Sequence, residues 1–256
     1  MGTSTRLPGP TGGGWTSAKR SLSSWTPRPQ SQPGSLVEDD RRKAERTAEK
    51  FRDALRDALR EDPERFGIQS SARASGDRLV TVLDDLRQPD PALLRGIADH
   101  PYLAPADEFV RRFVAEVGGD GRLVVDAATR RAARRVVERL VDHDGPLADP
   151  LRPGGISGEL FCALYQSFFG DLVGQFVHIL IAENVKLALP VLALDPTDTV
   201  AGFVADQIVK ILPDPCAVAN AHDSEQPHLV DTARDLLAET VAEALGLGDS
   251  GLELAA

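Results

Sequence analysis

Residues 157–182 read SGELFCALYQSFFGDLVGQFVHILIA, and this stretch decides the fold. Leu160, Phe161, Leu164, Tyr165, Phe168, Phe169, Leu172, Val173, Phe176, Val177 and Leu180 recur at helical spacing, too densely for a single apolar stripe. Such a run predicts a helix buried on most sides, and Ser157 is placed to cap it. Its most apolar part, Leu172 to Ala182, is shorter than the roughly 20 residues a membrane helix needs and is flanked by Asp171, Glu183, Asn184 and Lys186. It reads as the centre of a core.

The chain on either side supplies helices to cover it. Downstream, Asp195-Pro196-Thr197-Asp198 opens a helix with proline at its first position, Pro213-Asp214-Pro215 closes it, and a last helix spans about 229–245 before Gly246. Upstream, Asp126 is the expected cap of a helix over 126–142, and Gly118-Gly119 stops one over 105–117. Segments 76–86 and 90–99 read as two shorter helices split by Gln88-Pro89, although Val and Thr in the first also suit a strand. Ser35-Leu36-Val37-Glu38 has capping-box form. Behind it Ala44, Ala48, Phe51, Leu55 and Leu59 make one stripe that ends at Asp62-Pro63. No internal repeat and no sustained alternation occurs, so the fold class is all-α, a multi-helix bundle. Gly145–Gly155, rich in Pro and Gly, is the best place for an internal boundary near 145–155.

Charge divides the chain differently. Arg6, Lys19, Arg20 and Arg28 precede the first acidic residue, Glu38, whereas the whole chain of 256 residues carries −10. Residues 1–34 therefore read as a flexible basic tail rich in Gly, Pro and Ser, and 35–256 as an acidic helical domain. Few aliphatic residues in the tail can offset the ordering entropy of its backbone. An acidic domain repels phosphate backbones and anionic lipid, which disfavours nucleic-acid and membrane roles. Cys162 and Cys216, with no CxxC spacing, suit reduced thiols in a cytosol, and no secretory signal opens the chain, so a cytoplasmic location is expected.

Catalytic and cofactor signatures are missing. The five histidines lack metal-ligand spacing, no P-loop, GxSxG or HExxH occurs, and Gly12-Gly13-Gly14 has neither the preceding strand nor the following Lys of a phosphate cradle. A non-enzyme without cofactor or metal is expected. His178, in the apolar helix, reads as a core histidine before it reads as a proton carrier. Arg130, Arg131, Arg134, Arg135 and Arg139 line one helix. They form either an anion-binding cluster for nucleic acid or phosphate, or a solvated face paired with carboxylates such as Glu138 and Asp142.

The tail holds both tryptophans, Trp15 and Trp25, and a short Gly- and Pro-free run, Thr16 to Trp25, that folds as a helix only against a partner. Removal of Met1 would leave Gly2, whose unhindered α-amine is partly neutral near pH 8 and below and so is a competent nucleophile. The opening Met1-Gly2-Thr3-Ser4, then Gly9-Pro10 and Gly12-Gly13-Gly14-Trp15, on a helical body of this size, resembles the QatB family, the B component of the four-gene Qat anti-phage defence system of bacteria. That resemblance implies a non-catalytic substrate and adaptor. Its partner would be QatC, a QueC-like enzyme that activates a carboxylated deazaguanine with ATP and transfers it to the amine of Gly2. Further partners would be the ATPase and TatD-like nuclease of the same gene set. On that reading Gly2 is the modification acceptor. Thr3, Ser4, Gly9, Pro10, Gly12, Gly13 and Gly14 contact the partner, with Trp15 and Trp25 as anchors.

Overall fold

The buried run forms the inner part of one helix, α6 (Gly158–Asn184), around which the other elements are arranged. The computed structural model describes residues 7–25, 38–100, 102–119, 124–185, 196–221 and 229–248, and everything below concerns these. They form α1 (Gly13–Ser23), α2 (Glu38–Glu61), α3 (Ile68–Asp85), α4 (Pro105–Gly118), α5 (Val124–Val141), α6, α7 (Pro196–Val209), α8 (Pro215–Ala221), α9 (Leu229–Asp235) and α10 (Leu237–Ala244), with no strand among the described residues. The protein is an all-α bundle.

Ser157 caps α6 as its type predicts, its hydroxyl accepting from the Leu160 amide at 3.1 Å. Length and apolarity alone would let α6 cross a membrane, but it is buried in this protein's own core. α7 and α5 are its principal neighbours. The approach of α7 is set by glycine: a Cβ at Gly174 would stand 2.5 Å from the Ala201 carbonyl oxygen, and one at Gly170 would stand 2.8 Å from that of Ala205. On another face the Tyr165 hydroxyl lies 3.2 Å from the Ala233 carbonyl oxygen and 2.9 Å from the Thr240 hydroxyl, linking α6 to α9 and α10. Burial pushes this phenol up to about 12, against the opposing hydrogen bond.

Four sequence expectations are corrected. Segment 90–99 is not a helix but two 3₁₀ turns, Ala92–Leu94 and Ile97–Asp99, separated at Gly96, which has a positive φ of 62°. Segment 76–86 is helical, and α3 starts eight residues earlier than expected, at Ile68. Asp126 lies inside α5, where its carboxylate accepts from the Ser71 hydroxyl at 3.3 Å, instead of capping it. The last helix divides at Leu236. Gly145–Gly155 is a compact turn: Leu147 is buried and its amide donates to the Leu140 carbonyl, while α5 before it and α6 after it pack together within one core. The Ser35 capping box lies outside the described residues.

The two 3₁₀ turns are held by charge. Glu108, 2 % exposed, accepts two hydrogen bonds from Arg111 and one from Arg112, all at 2.7 Å. Arg112 reaches on to the carbonyl oxygens of Leu93, Arg95 and Gly96. These guanidinium hydrogen bonds pull Glu108 down from 4.5 to about 2, outweighing the desolvation that opposes them. A carboxylate depressed on folding contributes stability that is complete above its unfolded value and is lost as pH falls through the folded one. We therefore expect wild-type stability to decline between pH 4.5 and 2 more steeply than that of Glu108→Gln, measured as urea midpoints across that window. Parallel curves would rule this out.

Candidate functional site: the docked N-terminal segment

Most of the supposed tail is part of the body. α1 packs antiparallel on α2 and buries Trp15, Ala18 and Leu22, spaced so that all three share one face. Trp15 meets Phe51 edge-on with ring centroids 5.1 Å apart, and Ser21 and Thr47 share a 3.0 Å hydrogen bond. Beyond the helix Trp25 Nε1 donates to Asp40 at 3.2 Å, and Lys43 Nζ donates to the Ser24 carbonyl at 3.0 Å. The partner that the short helix needs is α2 of the same chain. Trp15 and Trp25 are 4 % and 5 % exposed. Both rings are therefore packed inside this chain, against α2, and not displayed on its surface. The physical reason is that each tryptophan buries about 150–250 Å², so two of them compensate for the scarcity of aliphatic residues.

Upstream of α1 the chain is fastened to the far end of α6. The Asn184 side-chain oxygen accepts from the Gly9 amide at 3.1 Å, while its nitrogen donates to the carbonyls of Leu7 at 3.2 Å and Leu180 at 2.9 Å. One side-chain amide thus grips the backbone on both sides of Pro8. Gly9 is required by space, since a Cβ there would meet Asn184 and the Trp15 ring at 3.0 Å. Pro10 is buried. Gly12, with a φ of 122°, turns the chain into α1 and offers its carbonyl to the amide and hydroxyl of Thr16. Around Gly13 there is open space, and Gly14 lies near Ala54. The glycines therefore serve a turn and a close approach. Gly2, Thr3 and Ser4 lie outside the described residues.

Replacing Asn184 by alanine leaves the Gly9 amide without its acceptor. We expect loss of exchange protection at Gly9, together with about 1–2 kcal/mol of stability for the part-buried bonds removed. Unchanged exchange at that amide would show that Asn184 is not the latch.

The arginine helix is α5, and three of its arginines are ion-paired. Arg134 bonds Glu138 at 2.8 Å, Arg135 bonds both Asp171 and Asp198 at 3.1 Å, and Arg139 bonds Asp171 at 3.0 Å. Asp171, on buried α6, is itself buried. Arg130 lies over Gly118, and Arg131 lines a hollow of about 250 Å³ with His178 and Glu183. The second hollow on α5 presents Arg135 and Arg139 alongside Glu138 and Asp142. Both hollows carry both signs of charge, the pattern of a paired face more than of an anion-binding row.

Cys162 and Cys216, expected as separate reduced thiols, are joined, with sulfurs 2.22 Å and Cα atoms 6.0 Å apart. Their separation of 54 residues hid the contact, which the docking of the α8 start on α6 creates. Asn184 was equally hidden, since an asparagine ending an apolar helix reads as an ordinary polar flank.

Compared with protein-family models, with curated proteins and with solved structures, the chain finds no match in any of the three.

Proposed function

We propose that this chain is the non-catalytic, B-type component of a Qat anti-phage defence system, and that a QueC-like enzyme, QatC, modifies its N-terminal Gly2. The observation that supports this reading is the fastening of Leu7 and Gly9 by Asn184 beside a helix sealed by Trp15. A body built to hold residue 7 at one place gives the six residues before it a defined origin, with a reach of at most about 20 Å. A floppy terminus has no need of such a fixture.

In the reaction, the partner joins the carboxylate of a carboxylated deazaguanine to the α-phosphorus of ATP as a mixed anhydride, and pyrophosphate leaves. The neutral amine of Gly2 attacks the acyl carbon, the nucleotide leaves, and the nitrogen loses a proton as the amide forms. The body supplies the acceptor and its placement, while Thr3 and Ser4 are read beside it. It also serves as the adaptor for the ATPase and the TatD-like nuclease, in the cytoplasm.

Deletion of Gly2-Thr3-Ser4 should abolish both co-purification with the QueC-like enzyme and phage resistance, without moving the thermal midpoint. Full resistance in that deletion would refute the proposal. The alternative, nucleic-acid binding through Arg130, Arg131, Arg134 and Arg135, would have to compete with the ion pairs that Arg134 and Arg135 already make.

A further inference from the structure

The disulfide lies in a setting that would keep its two sulfurs together without the bond. Gly158, Cys162 and Gln166 are four residues apart and so form one stripe along α6. The segment 212–216 is laid along that stripe and held at each position. Gln166 Nε2 donates to the carbonyls of Leu212 and Pro213 at 3.3 and 3.4 Å. Cys162 meets Cys216, and the Gly158 carbonyl oxygen lies 3.2 Å from Cys216 Sγ, where a reduced thiol donates to it. Asp214 completes the group: one carboxylate oxygen accepts from the Cys216 amide at 2.9 Å and fixes the side chain beside both sulfurs. A ligand atom from each of Cys162, Asp214 and Cys216 lies within 4.8 Å of the other two, with Cys162 buried and the other two half-buried.

We propose that Cys162, Asp214 and Cys216 form a redox-gated binding site for a thiophilic divalent cation of the zinc class. A dithiol reductant transfers two electrons and two protons to the disulfide and itself becomes a disulfide. The cation then displaces the two thiol protons and binds two thiolates. In a tetrahedral zinc site, with Zn–S bonds of about 2.3 Å, the sulfurs stand about 3.7 Å apart, a separation that side-chain rotation reaches without moving the backbone contacts of Gln166. Two thiolates and a carboxylate suit a borderline-soft ion. Three protein ligands leave a fourth position for water or another donor. Exchange with a disulfide oxidant, which takes the two thiolate electrons and two protons from solvent to become a dithiol, re-forms the bond and frees the cation, so the same pair alternates between a covalent clasp and a metal clasp on α8. The inference is independent of the reaction at Gly2.

The test uses the full chain, reduced with a soluble dithiol, freed of it anaerobically and titrated with cobalt(II) as a spectroscopic substitute for zinc. The expected result is one equivalent bound with a thiolate-to-cobalt charge-transfer band, displaced by zinc, and no band in the oxidised chain. Cys162→Ser should lose the band. Asp214→Asn keeps the oxygen that accepts from the Cys216 amide, so it should fold, yet bind at least about tenfold more weakly, as lost metal-site support does. The proposal is overturned if the reduced chain keeps its circular dichroism and takes up no cobalt, if Asp214→Asn binds as well as wild type, or if reduction alone melts the helices.

Discussion

Trp15→Ala is expected to destabilise the protein by about 3–5 kcal/mol, the range for removing a fully buried large aromatic. Its indole is 4 % exposed, stands edge-on to Phe51 and borders Gly9, so the cavity would open between α1, α2 and the fastened Leu7–Pro10 segment. Trp15 and Trp25 are the only tryptophans in the chain, so intrinsic fluorescence reports on this region alone. In wild type the fluorescence and far-ultraviolet transitions should coincide in urea, as for one cooperative unit. A loss below about 1 kcal/mol, or a fluorescence transition well ahead of the helical one, would mean that α1 lies outside the cooperative core.

Gly174→Val is expected to be the most damaging change on α6. Even a single Cβ would stand 2.5 Å from the Ala201 carbonyl oxygen and 3.2 Å from the Ala205 side chain. The obstacle is the backbone of α7, so no rotamer change relieves it. Overpacking of this kind costs about 1–3 kcal/mol and more where the neighbours cannot shift. We expect at least about 3 kcal/mol by denaturant unfolding. Val at Gly13, which faces open space at the solvent-exposed start of α1, serves as the control and should cost far less. Equal losses at the two positions would show that helix propensity, not the approach of α7, sets the requirement for glycine.

The parts of this structure visible in the sequence are those governed by local pattern. α6 announces itself by apolar density and by Ser157, and the stripe of Ala44, Ala48, Phe51, Leu55 and Leu59 gives α2. What the pattern hides is decided by contacts between distant residues. The first turns of α3 are rich in serine, and are secured by Ser71 bonding Asp126 and by Ser75 bonding back to the Ser71 carbonyl. Segment 90–99 carries helix-like apolar residues. There the Asp85 carboxylate captures the amides of Ala92 and Leu93, and Arg112 captures the carbonyls that follow, so short turns win. Gly9, Gly12 and Trp15 were legible as unusual residues in the N-terminal segment, but their roles depend on Asn184 and Phe51, far away in sequence. The pairing of Arg135 and Arg139 with Asp171 likewise joins two helices that local spacing cannot relate.

The same contacts give the N-terminal segment its meaning. A basic, glycine-rich opening is commonly a loose end. Here residues 7–25 are attached at Asn184, Phe51, Thr47 and Asp40, and the proposed function assigns the modification to Gly2, upstream of that attachment. The most direct test is to co-express the full chain with a QueC-like enzyme of the proposed system and measure the intact mass, then locate any change by fragmentation. The account predicts loss of Met1 and a gain on Gly2 equal to a carboxylated deazaguanine less one water. An unaltered Gly2 beside a partner shown to be active would contradict it.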